Sequence, residues 1–79
     1  MRVVLAMIRE GSNITQMQVS RCAGISQGYY SDIECGLRCP SPEVAFRIAH
    51  VLDIPDHEIF RVFYADISWN YKRRNKHAG

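Results

Sequence analysis

The chain has 79 residues, of which 47% are hydrophobic and 23% charged; that composition allows one small domain with a modest core and excludes general disorder. No apolar run approaches the roughly 20 residues that span a bilayer, and the opening MRVVLAMIREGSN lacks the length and small-residue cleavage site of a signal peptide, so a cytoplasmic chain is expected. The net charge of +2 is unevenly spread: residues 1–66 hold six Arg against all eight acids, a net of −2, while Lys72, Arg73, Arg74 and Lys76 add +4 at the end.

The apolar spacing predicts helices and no serious strand before residue 66. A first helix spans about Val3–Glu10, with Leu5 and Ile8 inward and either Val4 or Met7 beside them. Gly11, Ser12 and Asn13 break it, and Asn13 tolerates a left-handed turn. Thr15 caps a second helix and forms a capping box with Gln18, three residues on. Val19 and Ala23 face inward, and Gly24 ends this helix. Ser26 caps a third helix, which carries Tyr30 and Ile33 inward and closes at Gly36. Pro40 separates it from a fourth, with Ser41 as cap, Pro42 first and Glu43 in the first turn. Its buried stripe is Val44, Ile48, Val51 and Leu52, joined by Ala45 and Ala49. A fifth helix starts near Asp56 after Pro55 and buries Ile59, Phe60 and Phe63. The expected fold is therefore all-α, five short helices in one domain over residues 1–64, with an extension over 65–79.

Helices two and three are short and joined by about three residues, which is helix-turn-helix geometry. Close crossing of the two helices needs a small residue, and Ser20 supplies it. The turn needs a residue free to take positive φ, and Gly24 supplies that. The packing positions Val19, Ala23, Ile25, Tyr30 and Ile33 are all suited to a core.

Residues 15–54, TQMQVSRCAGISQGYYSDIECGLRCPSPEVAFRIAHVLDI, resemble the phage repressor/Cro-like (XRE) helix-turn-helix family. The resemblance rests on Thr15-Gln16, Gly24-Ile25-Ser26, Tyr30-Ser31, Glu34, Gly36, Pro40-Ser41, Arg47-Ile48-Ala49 and Leu52, and extends over about residues 3–63. It implies a lambda-repressor-like DNA-binding domain and a transcriptional regulator, a homodimeric repressor reading a short palindrome. The third helix would enter the major groove with its N-terminal part foremost, placing Gln27, Gly28, Tyr29, Ser31 and Asp32 at or near base edges. Gln27 suits bidentate contact with adenine, and Asp32 suits accepting from cytosine N4. Gln16, Ser26 and Arg38 would hold phosphate, and Arg21 either joins them or is solvated. The resemblance also implies a buried ion pair between Arg9 and Glu34, structural rather than functional. Tyr30 replaces the usual aliphatic residue, with its hydroxyl expected at the rim. Tyr29 either packs on the surface or touches DNA.

Two features depart from the family pattern: Gly28 stands where a reading side chain would project, and the reading face carries few cations. Weak, modestly salt-dependent non-specific affinity follows. The tail admits two periods, because Phe60, Phe63, Tyr64, Ile67 and Tyr71 fit a helix while Ile67, Trp69 and Tyr71 alternate like a strand. Phe63, Tyr64, Ile67 and Trp69 are the expected dimer contacts, followed by a basic arm or a solubilising end. Cys22, Cys35 and Cys39 are an odd number without a CxxC, and His50 and His57 are badly spaced for a zinc finger, so free thiols and no metal are expected. No nucleophile–base grouping or phosphate-cradling loop marks an enzyme, and no cofactor or small-molecule ligand is expected. The expected partners are double-stranded DNA and a second copy, at the nucleoid and not at a membrane. The alternative is a protein-interaction module, antitoxin-like or anti-repressor, on the same fold.

Overall fold

The computed structural model describes residues 1–65, and within them every regular element is helical. In chain order these are α1 (Val3–Gly11), α2 (Gln16–Ala23), α3 (Gln27–Cys35) and α4 (Pro42–Val51), then a 3₁₀ turn (Asp56–Glu58) and a π-helical turn (Arg61–Ala65). The tail residues Ile67, Trp69, Tyr71 and Lys72–Lys76 lie outside the described residues.

Local chemistry sets the boundaries. The Thr15 hydroxyl accepts from the Gln18 N–H at 3.1 Å, and the Gln18 side chain accepts from the Thr15 N–H at 2.8 Å, closing the predicted box. Ser26 and Ser41 accept from the N–H groups of Tyr29 and Val44 in the same way. Gly24 ends α2 at φ +74° and Gly36 ends α3 at φ +87°, left-handed values that cost a side-chain-bearing residue energy. Asn13 takes φ +59° in the turn after α1, as its type allows.

The core joins all four helices to the final turn. Leu5 of α1, Val19 and Ala23 of α2, Tyr30 and Ile33 of α3, and Ala45, Ile48, Ala49 and Leu52 of α4 meet Ile54, Ile59, Val62 and Phe63. Val4, not Met7, packs beside Leu5; Met7 is exposed. Val44 and Val51 flank the α4 stripe and are half-buried.

The fifth helix departs from expectation. The segment begins after Pro55 as predicted, but as a tight 3₁₀ turn, and it ends in a wide π turn. That changing pitch shifts the phase of the apolar positions. Ile59, Val62 and Phe63 face inward, whereas Phe60, expected in the core, is 70% exposed and lies against Tyr64 with ring centroids 6.2 Å apart.

Candidate nucleic-acid interface

The two helices of the motif pack directly on each other, and α4 supports α2 from behind. Ser20, 3% exposed, sits where they cross, and its hydroxyl returns to the Met17 carbonyl at 2.9 Å, so the small polar side chain is satisfied. Gly24 opens the turn. A methyl group built there would lie 3.9 Å from the Arg47 guanidinium, so backbone conformation, not space, demands the glycine.

One charged cluster locks the motif to α1. Glu34, on α3 and 3% exposed, accepts from Arg9 Nε at 2.7 Å and from a terminal Arg9 nitrogen at 3.1 Å. The other terminal nitrogen of Arg9 donates to the Ile14 carbonyl at 2.8 Å, fixing the chain just before the α2 cap. The Tyr30 hydroxyl donates to the same carboxylate at 2.7 Å, and the Gln16 amide donates to it at 3.0 Å. Burial pushes the Glu34 carboxyl upward, but the donors from Arg9, Tyr30 and Gln16 outweigh it and leave the group below the ordinary glutamate range. Its hydrogen bond to Glu34 raises Arg9, and burial followed by the bond to Glu34 raises the Tyr30 hydroxyl, so both stay protonated. The resemblance-implied pair is thus present as part of a larger network. Tyr30 is a correction: it is fully buried and its hydroxyl is held inside, not at the rim.

The candidate base-edge residues share the start and one side of α3. Gln27 and Gly28 are exposed in its first turn, and Tyr29, Ser31 and Asp32 are half-buried. A Cβ on Gly28 would meet nothing within 4 Å, so no packing reason excludes a side chain. Tyr29 packs against the core edge. Asp32 is paired with Arg38, 3.3 Å away across the turn that ends α3. Both groups are open to solvent, with side chains 39% and 63% exposed, so the pair is weak. Gln16 begins α2 half-buried and tied to Glu34, and Ser26 is exposed with its hydroxyl used as a cap. Arg21 is exposed in the last turn of α2, and no ion pair holds it among the described residues.

The candidate dimer contacts separate. Phe63 is fully buried in the monomer core, and Tyr64 is half-buried with its hydroxyl donating to the Pro40 carbonyl at 3.1 Å. Phe63 is therefore spent on the monomer's own packing, because the π turn rotates it inward. The three cysteines are free and exposed.

Sequence reasoning missed Arg2. It is 1% exposed, and its Nε donates to the Phe63 carbonyl at 2.7 Å. A terminal nitrogen donates to the Ile33 carbonyl and to the Arg38 carbonyl, the latter at 2.9 Å. Its own N–H reaches the Glu34 carbonyl at 2.8 Å. One guanidinium thus gathers carbonyls from the end of α3, the following loop and the last turn, where the negative end of a helix dipole favours a cation. The available signal was an arginine two residues before an apolar helix, too ordinary to single out.

No helix among the described residues is long and apolar enough to cross a membrane. Neither a curated protein nor a solved structure matches the chain. The family model for the helix-turn-helix matches residues 5–59, which contain α1 from Leu5 onward, both motif helices, α4 and the 3₁₀ turn. On that match and this architecture, the chain belongs to the phage repressor/Cro-like (XRE) helix-turn-helix family of DNA-binding regulators.

Proposed function

We propose that the protein is a sequence-specific transcriptional regulator, acting as a homodimeric repressor on a short palindromic operator. The observation that carries the reading is the presentation of α3: its first turn stands out from the body with Gln27 exposed, while the opposite side is anchored by Tyr30, Ile33 and Glu34 in the core. An anchored helix with a protruding polar N-terminus fits the major groove. Gln27 reads adenine, Asp32 and Ser31 meet neighbouring base edges, and Gly28 lets the helix backbone approach closely. Gln16, Ser26, Arg21 and Arg38 surround this edge and hold phosphate. Half-sites are then about 34 Å apart, one helical turn.

Selection of bound duplexes from a random pool tests the reading and returns half-site spacing directly. With the selected site, Gln27→Ala is expected to lower cognate affinity about tenfold or more and to leave random-sequence affinity unchanged. Equal binding of every sequence by wild type and variant removes the base-reading role. Truncation after Ala65 is expected to convert a sedimenting dimer to monomer if the tail joins the copies. Capture of a stable protein partner, with no DNA shift even at low salt, replaces the reading with the interaction module.

A further inference from the structure

The Glu34 network does more than hold helices together. It fixes one of the side chains assigned to phosphate. Gln16 is the first residue of α2, where helix geometry leaves backbone N–H groups without an internal partner. A side-chain amide carries two N–H donors. One of those of Gln16 is given to Glu34 Oε1 at 3.0 Å, which orients the other. The carboxylate is itself held by a bidentate Arg9 and by the Tyr30 hydroxyl on Oε2 at 2.7 Å. Arg9 alone would hold the carboxylate in the plane of its fork. The Tyr30 hydroxyl adds a bond to Oε2 from within α3, while Oε1, which also accepts from Arg9, receives the Gln16 amide. The resulting chain runs from the core, through Tyr30 and Glu34, to an amide at the protein's edge, and no buried side-chain N or O atom along it lacks a partner among the described residues.

We propose that Tyr30 and Glu34 are positioning residues for DNA binding, holding the Gln16 amide so that its second N–H and the backbone N–H groups of Gln16 and Met17 meet one phosphate together. This rests on the DNA-binding reading above. Pre-orientation matters because a free glutamine side chain loses rotamer freedom on binding, and here that loss has already occurred on folding. The residue type at position 30 then has a purpose beyond volume, since a phenylalanine would fill the same core space without the bond.

The test is a double-mutant cycle on the selected operator with Gln16→Ala, Tyr30→Phe and both, each at a temperature where circular dichroism shows full folding. Gln16→Ala is expected to weaken binding about tenfold and Tyr30→Phe about threefold. The double variant is expected to bind as Gln16→Ala alone, since Tyr30 acts only through Gln16. Additive losses, or wild-type binding by Tyr30→Phe, overturn the proposal while leaving DNA binding intact. Failure of the wild-type protein to shift any duplex overturns both. A second measurement needs no variant: the two Gln16 side-chain amide protons in the free protein. They are expected to be well separated, with one protected from exchange by Glu34. Fast, equivalent protons overturn the proposal even if Tyr30→Phe does not fold.

Discussion

At the level of single residues, two buried ions carry most of the risk in this small fold. Glu34 is stable only because its donors outweigh the cost of burial. Its carboxyl is depressed when folded, so the unfolded chain, with an ordinary value of about 4.3, takes up the proton first as pH falls. Stability present at neutral pH is therefore lost as pH drops through the ordinary value and on through the folded one. Glu34→Gln is expected to lower stability at pH 7 by about 3 kcal/mol and to flatten the acid limb of a urea-midpoint titration. An unchanged acid limb assigns the dependence to other carboxylates. Arg2 makes the second case. Arg2→Met keeps an apolar stem but strips donors from the Phe63, Ile33 and Arg38 carbonyls. The expected cost is about 3 kcal/mol in chemical denaturation, because these carbonyls lose a charged donor that water does not replace, the Ile33 carbonyl keeping only the Gly36 N–H. The Arg9–Glu34 pair was legible through the family resemblance, whereas Arg2 was not. Its partners are backbone carbonyls, and no side-chain pattern in a sequence records where carbonyls converge.

Among the elements, those with strong local signals formed where the sequence placed them. Caps and left-handed glycines act within a few residues, so Thr15, Ser26, Ser41, Gly24 and Gly36 could be read directly. The segment after Pro55 could not, because its pitch changes from 3₁₀ to π within about ten residues and no fixed period describes it. Phe60, expected inward, faces solvent for that reason, and Val62 takes a core position. Helix α3 offers a separation of stability from function. Gly28 lies inside α3, and a Cβ there meets open space. Gly28→Ala is therefore expected to raise thermal stability by about 1 kcal/mol. If the backbone approaches DNA at this point, the same variant lowers operator affinity, so melting and gel-shift measurements move in opposite directions. Parallel gains in both show that Gly28 has no reading role.

Across the whole molecule, charge placement decides how strongly DNA is attracted before any base is read. Four of the six arginines in the described body are held in pairs: Arg9 with Glu34, Arg38 with Asp32, Arg47 with Glu43 and Arg61 with Glu58. The Asp32–Arg38 pair lies at the proposed interface and removes a free cation from it. Asp32→Asn is expected to raise random-sequence affinity and to steepen its log–log salt dependence by about 1 per copy, as one more phosphate is neutralised. An unchanged slope means that Arg38 does not face phosphate. The helix-turn-helix, its caps and turns, most inward positions of the first four helices and the family could be read from the residues alone. Each of these rests on periodicity or on contacts between near neighbours. Folding in three dimensions was needed to turn Phe60 out of the core, to pin three separate segments on Arg2, and to bring Tyr30 and Gln16 onto the Glu34 carboxylate. The Arg2 and Gln16 contacts join groups 18 to 61 positions apart, and packing geometry, not residue type, brings them together.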